Sequence, residues 1–328
     1  MSYLFRVEDA RPLPYADVLD VSSVRCESGT PLSGEWRVGQ VHRLYSPGVT
    51  TRSIEAILTQ GTLNVRIFSG ACREDYLLAL DLLARVAEHL GTEVLSEEDV
   101  RFVPLALGSK YGRGWIDDHT RAIGKLILGM AASKRSDDPV VIPGPMRPFH
   151  IGPLTADVVR TVGRSDLERA EVLARMIRQV QYPDLPVVQP RAVTLPDSEQ
   201  VVAASIITPE RAVLVERGDV LGLAAEAPVY VSWGAAASLL GPFARHLDEW
   251  TLAVAPVPRR EWGQLVAAAA ALESDGFESD GELTQHTWWS TQVTDAPTEL
   301  FQMPVARETD TSDHAGVRQW WDVWRKRR

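Results

Sequence analysis

The chain has 328 residues, of which 45% are hydrophobic and 24% are charged, and its formal net charge is −10 at pH 7. This length suits two domains or one large one, and the composition is that of an ordinary globular protein. The acidic balance disfavours general binding to nucleic acid or to anionic membranes, because such proteins neutralise phosphates with a basic face. We therefore expect no nucleic-acid partner.

The ends and the cysteines of the chain restrict its class further. Residues 1–9 carry charges where a secretory signal has its apolar segment. No apolar run approaches the roughly 18 residues of a spanning helix, so we expect a soluble, cytoplasmic protein without membrane insertion. Cys26 and Cys72 are too few and too far apart for a zinc site or a disulfide framework. No metal and no other cofactor is expected.

The first predicted elements are a hairpin and a helix. Residues 54–60 and 63–69 alternate apolar and polar side chains on either side of Gly61, which predicts a β-hairpin with one buried face. Residues 74–90 carry apolar side chains at helical spacing, with acids in the first turn and Gly91 at the end. A strand over residues 92–95 completes a β-β-α-β order.

The next predicted elements lead to a proline-rich loop. Asp117 is predicted as the N-cap of a helix that continues to Met130, followed by a strand over residues 139–142. Four prolines in residues 143–153 preclude a regular helix there. Ser165 and Glu168 have the spacing of a capping box, which predicts a helix to about residue 180.

A proline-rich stretch at residues 183–196 is the predicted boundary between two halves. Beyond it the pattern predicts four strands and two helices: strands over 201–207, 211–216, 228–232 and 249–255, and helices over 234–240 and 258–272. The predicted fold class is α+β, with two mixed halves over residues 1–182 and 183–272. Residues 273–328 are predicted to be an acidic linker and a tryptophan-rich tail.

Opposite charges are separated within this tail. From Glu273 to Asp313 there are ten acidic residues and one arginine, a local charge of −9, whereas residues 314–328 carry five bases and one acid. Trp320 and Trp324 lie four residues apart, so they share one face of a helix. We favour docking of this face on the protein's own body over an anchor for a partner, because exposed tryptophans promote aggregation.

The motifs of known catalytic sites are missing from the sequence. Residues 108–115 contain three glycines and two bases but lack the spacing of a phosphate-binding loop. Asp117, Asp118 and His119 are explained by the start of a helix without invoking a metal. We therefore lean against an enzyme. The alternative is a hydrolase or transferase of an unrecognised family, with a site formed by loops 108–119 and 143–153.

Loop residues and tail tryptophans are the candidate partner-binding residues. A proline-rigid loop could present Arg147, Phe149 and His150 to a ligand, although Phe149 could equally enter the core. Large aromatic side chains are common at the energetic centres of interfaces. The predicted partner-binding set is Arg147, Phe149, His150, Trp288, Trp289, Trp320, Trp321 and Trp324.

The leading functional prediction is non-enzymatic binding of a protein partner. Acidic character steers a protein toward a basic partner and aromatic side chains anchor it, as in bacterial immunity or antitoxin proteins. A structural subunit of a larger assembly, joined through the tail, is a further alternative. The sequence leaves the identity of the partner and the oligomeric state open.

Overall fold

The computed structural model describes residues 2–27, 32–135, 138–195 and 200–273. These residues form helices together with antiparallel sheets, which confirms the predicted α+β class. The predicted tail lies outside the described residues. No helix in the described part of the chain is long and apolar enough to cross a membrane.

The chain divides into two compact units. The first unit comprises Met1–Pro183 and a short return of the chain, Leu247–Glu249. The second comprises Asp184–His246 and the described residues from Trp250 onward. The division into two halves at residues 182 and 183 stays a prediction.

The first unit is built on a seven-stranded antiparallel sheet, which includes the predicted hairpin as β4 and β5. Gly61 stands at the turn with a φ of +78°, a conformation that favours glycine. The strand order is β2-β3-β4-β5-β1-β6-β7. The strands are β1 (Tyr3–Ala10), β2 (Arg25–Cys26), β3 (Val41–Tyr45), β4 (Ile54–Thr59), β5 (Gly61–Ile67), β6 (Val94–Leu95) and β7 (Arg101–Phe102).

Six helices and a small hairpin complete this unit among the described residues. The predicted helix over 74–90 is confirmed as α2, and Gly91 ends it in the left-handed conformation. The capping box of Ser165 and Glu168 is also confirmed, at the start of α6. The helices are α1 (Tyr15–Val18), α2 (Arg73–Leu90), α3 (Pro104–Lys110), α4 (Arg113–Ala132), α5 (Pro153–Val162) and α6 (Asp166–Gln181), and the hairpin pairs β8 (Val140–Ile142) with β9 (Phe149–Ile151).

Two predictions in this unit need correction. Asp117 is not an N-cap, because α4 begins one turn earlier with Gly112 in the N-cap position. The segment 143–153 is not a continuous loop, because residues 149–151 pair as β9. Pro153 then opens α5, where its fixed φ suits the first helical turn.

The core of the first unit lies between the sheet and α2. On β1, Phe5 and Val7 are fully buried, and on α2 the buried side chains recur at helical spacing. Tyr3 and Trp115 pack at the edge of this core and are only partly buried. The edge of the core therefore has an aromatic composition.

The second unit contains two four-stranded sheets, in the orders β10-β13-β17-β16 and β11-β12-β14-β15. Each sheet contains one parallel pair, β10 with β13 and β12 with β14. The sequence pattern predicts four of these strands, β12, β13, β15 and β17, and misses the other four, β10, β11, β14 and β16. All four residues of β14 are buried. The elements are β10 (Val187–Val188), β11 (Arg191–Thr194), β12 (Val201–Ile207), β13 (Val213–Glu216), β14 (Val220–Leu223), β15 (Val229–Ser232), α7 (Trp233–Leu240), β16 (Ala244–His246), β17 (Thr251–Val254) and α8 (Arg259–Glu273).

Candidate binding surface

The segment 143–148 is held against α6 by one buried glutamine. The Oε1 atom of Gln181 accepts hydrogen bonds from the backbone N–H groups of Met146 at 3.0 Å and Arg147 at 3.1 Å. Its Nε2 atom donates to the carbonyl oxygen of Arg147. A Cβ atom on Gly144 would collide with the same amide group, so glycine is required there. The backbone of this segment is therefore fixed by the fold.

Phe149 and His150 lie inside the first unit. Phe149 is fully buried, and only 7% of the surface of His150 is accessible to solvent. The backbone N–H of His150 donates to the Oδ2 atom of Asp248 at 2.9 Å, and its Nδ1 atom lies 3.6 Å from the same oxygen. These contacts give both residues a structural role. Their predicted role in binding a partner stays a prediction, as does that of the half-buried Arg147.

Glu249 caps the helix that follows this segment. Its Oε1 atom accepts a hydrogen bond from the backbone N–H of Thr155, in the first turn of α5, at 2.9 Å. A carboxylate at this place also complements the helix dipole. A Cβ atom on Gly152 would approach the Cδ atom of Glu249 to 2.6 Å, so glycine makes room for the cap.

Residues 108–119 form the end of α3 and the first turns of α4 rather than a loop. Asp117 forms ion pairs with Arg73 of α2 and, at 3.8 Å, with Arg113 one turn earlier on α4. The Nδ1 atom of His119 lies 3.0 Å from the carbonyl oxygen of Trp115. The charged groups in this stretch thus have structural partners.

The same stretch contributes to an aromatic cluster that the sequence did not predict. The rings of Trp115 and His119 lie 4.0 Å apart, centre to centre. The ring of Tyr3 meets Trp115 edge-on at 5.1 Å, and the buried Tyr76 meets it at 5.5 Å. Tyr3, Trp115 and His119 are half-buried, so each keeps part of its surface in solvent.

An exposed acidic turn borders this cluster. Glu97, Glu98 and Asp99 connect β6 to β7, and all three are exposed. The hydroxyl of Tyr3 donates to the Oε2 atom of Glu98 at 3.4 Å, and it also lies 3.3 Å from the hydroxyl of Tyr111. Burial, followed by the contact with Tyr111, raises the pKa of Tyr3 well above its ordinary value, so the hydroxyl keeps its proton.

The three acids of the turn differ in their partners. Asp99 forms an ion pair with Arg6 of β1. Glu97 instead lies 3.4 Å from a backbone N–H group, that of Leu4, and Glu98 accepts from the Tyr3 hydroxyl. Among the described residues, no base forms an ion pair with Glu97 or Glu98. We call Tyr3, Trp115, His119, Glu97 and Glu98 together the aromatic-acidic surface.

The rings of this cluster already hold one cation of the chain itself. The Nζ atom of Lys110 lies 4.8 Å from the ring centre of Phe102 and 5.4 Å from that of Tyr111. Both rings contact further members of the cluster: Phe102 meets Tyr111 at 5.3 Å, and Tyr111 meets Trp115 at 4.8 Å. Aromatic faces attract cations through the ring quadrupole.

The cysteines do not contribute to this surface. Cys26 and Cys72 are both buried, and no disulfide joins them. Burial, together with the charges of Asp75 and Glu74, raises the pKa of the Cys72 thiol well above its ordinary value, which disfavours the nucleophilic thiolate. Among the described residues, no group of three or more histidine, cysteine, aspartate or glutamate side chains could hold a metal ion.

Sequence reasoning missed the aromatic-acidic surface because the fold assembles it. Tyr3 and Tyr111 are 108 residues apart in the chain, and no local motif links them. The alternation of Tyr3, Phe5 and Val7, which marks β1, is the one local signal that could have found this strand. The predicted sites Trp288, Trp289, Trp320, Trp321 and Trp324 lie outside the described residues.

No protein-family model matches the chain. No curated protein and no solved structure matches it either.

Proposed function

We propose that this chain is a non-enzymatic binding protein that recognises a basic protein partner through the aromatic-acidic surface. The observation that carries this proposal is the position of Glu97 and Glu98 beside the half-buried rings of Tyr3 and Trp115. Aromatic anchors beside a charged rim are the usual composition of a protein interface. An immunity or antitoxin protein, which covers a basic partner, belongs to this functional class.

The electrostatics of the neighbourhood support a basic partner. Arg101 is bridged to Glu8 at 2.9 Å and to Glu93 at 4.0 Å, so its charge is already neutralised by acids. Glu97 and Glu98 add two exposed carboxylates to this edge of the sheet. An acidic patch of this kind accelerates the encounter with a positively charged protein and repels an acidic one.

The aromatic rings of this surface contribute contact area, and therefore affinity, that the exposed charges do not. Exposed ion pairs contribute little affinity in water, whereas aromatic side chains with a restricted set of rotamers contribute large contact areas. Trp115 contacts the tilted ring of His119 and the nearly perpendicular rings of Tyr3 and Tyr76. It is therefore ordered before a partner binds, which lowers the entropic cost of association.

The test measures binding of the complete chain to immobilised basic peptides and to peptides in which every base is replaced by glutamate. We expect binding to the basic peptides only, and weaker binding as salt is added, because salt screens exposed charges. The double variant Glu97→Lys, Glu98→Lys should weaken binding at least about tenfold.

A matched control separates this surface from the overall acidity of the chain. Glu88 and Asp157 are exposed acids on α2 and α5, so Glu88→Lys, Asp157→Lys makes the same change in net charge. The control variant should bind the basic peptides within about twofold of the wild type. Equal loss in both double variants would show that net charge, and not this surface, governs binding.

A further inference from the structure

The aromatic-acidic surface places a carboxylate next to an aromatic face. The ring centre of Tyr3 lies 5.1 Å from that of Trp115, and the hydroxyl at the other end of the same side chain lies 3.4 Å from Glu98. The carboxylate and the indole are thus separated by one tyrosine side chain. A cationic group that covers Tyr3 can therefore approach both.

Arginine and lysine side chains differ in the contacts that they can make with a carboxylate next to an aromatic ring. A guanidinium is planar, stacks on aromatic rings and offers paired N–H groups to a carboxylate, whereas an ammonium is a compact and strongly hydrated charge. Stacking leaves the edge of a guanidinium free to donate hydrogen bonds. Arginine can thus satisfy the rings and Glu98 together, and lysine satisfies them less well.

We propose that the aromatic-acidic surface selects an arginine of the partner over a lysine, with the guanidinium stacked on the ring of Tyr3, beside Trp115, and hydrogen-bonded to Glu98. This inference rests on the proposed function and specifies the chemistry of the same surface. Glu97, on the same turn, adds a second carboxylate to the rim. The arginine selected here is a group on another protein, and the chain's own Lys110 stays on the rings of Phe102 and Tyr111.

The experiment compares two peptides of identical sequence except that every base is arginine in one and lysine in the other. Binding of each to the complete chain is measured by calorimetry. We expect the arginine peptide to bind at least about fivefold more tightly, because a planar guanidinium stacks on a ring and donates to the carboxylate better than an ammonium does. Equal affinity for the two peptides overturns the arginine preference but leaves the proposed function standing. Binding of neither peptide overturns both.

Two variants locate the preference on this surface. Trp115→Leu removes the aromatic ring beside Tyr3, whereas Trp115→Phe keeps one, so the preference should fall in the first and persist in the second. Because Trp115 packs on the core, the melting curve of each variant is recorded beside its affinity. Glu98→Gln needs no such correction, since Glu98 is exposed, and it should reduce the preference in a folded protein. A preference that survives both Trp115→Leu and Glu98→Gln assigns arginine selection to another part of the chain and refutes the proposal.

Discussion

The carboxylate of Asp75 accepts two hydrogen bonds from Thr51, from its hydroxyl at 2.6 Å and from its backbone N–H at 3.3 Å. The same carboxylate accepts from the backbone N–H groups of Arg52 at 3.1 Å and Cys72 at 2.7 Å. It therefore ties the segment before β4 to the first turn of α2, inside a fully buried site.

Asp75→Ala should lower the free energy of unfolding by about 3 kcal/mol, because buried donors that lose their acceptor cost about 1–3 kcal/mol each. Urea denaturation at neutral pH measures the change. Asp81→Ala on the same helix is the matched control, since Asp81 is exposed and pairs only with Arg85 one turn away. The control should change the free energy by less than about 0.5 kcal/mol. Similar losses in both variants would contradict the structural role of Asp75.

The same carboxyl should make stability depend on pH. Burial raises the pKa of Asp75 above its ordinary value, although the hydrogen bonds from Thr51 and Cys72 act in the opposite direction. A carboxyl with a raised pKa in the folded state stabilises the fold below its unfolded pKa, and this contribution is lost as pH rises through the folded pKa. From about pH 4 upward, the wild type should therefore lose stability relative to Asp75→Asn. A difference that shifts toward the wild type would show that the hydrogen bonds outweigh burial, and a constant difference would show that the two effects cancel; either result contradicts the prediction.

Gly152 and Glu249 should be energetically coupled. Gly152→Ala should cost about 2 kcal/mol, because its Cβ atom would approach the Glu249 side chain to 2.6 Å. Glu249→Ala should cost about 1 kcal/mol through loss of the cap on Thr155. In the double variant the clash is absent, so its loss should be smaller than the sum of the two by at least about 1 kcal/mol. Additive losses in urea denaturation would mean that the two residues do not share this contact.

Two glycines of α4 should respond to alanine with opposite signs. A Cβ atom on Gly124 would lie 3.0 Å from that of Ala170 on α6, so Gly124→Ala should force the helices apart and lower the melting temperature. Gly129 has nothing within 4 Å of its added Cβ atom. Gly129→Ala should therefore stabilise the protein by up to about 1 kcal/mol through helix propensity. A stabilising Gly124→Ala would indicate that α4 and α6 pack less closely than described.

Elements with complete local signals could be predicted from the sequence. The hairpin around Gly61, the helix over 74–90 and the capping box at Ser165 each carry their periodicity and end signals within a few residues. β14 was missed because its glycine, Gly222, resembles a strand break. In the fold, Gly222 has no room for a side chain beside Ile206 and Tyr230, which explains the glycine.

The candidate surface could not be predicted because its parts meet only in the folded chain. Tyr3 reaches α4 through the pairing of β1 within the sheet, and Glu98 reaches Tyr3 through the pairing of β1 with β6. The contact of His150 with Asp248 spans 98 residues for the same reason. The predicted helix begins at Asp117, so the sequence places neither Trp115 and His119 on one helix face nor Tyr3 beside them.

The tail beyond Glu273 lies outside the described part of the chain, and its tryptophans are expected to pack on the folded body. If Trp320 and Trp324 pack on the folded body, removing residues 317–328 exposes apolar surface that each indole covered, worth about 2–3 kcal/mol per side chain before entropy. The truncated chain should melt clearly lower and bind a hydrophobic dye more strongly. Replacing Arg325, Lys326, Arg327 and Arg328 with glutamine in the complete chain is the control, since it removes charge and keeps the tryptophans.

If the tail is instead an anchor for a partner, truncation leaves the melting curve unchanged and weakens association alone. An unchanged melting curve would therefore contradict docking, whereas a large drop on truncation with a small one in the control would assign the stabilisation to the tryptophans.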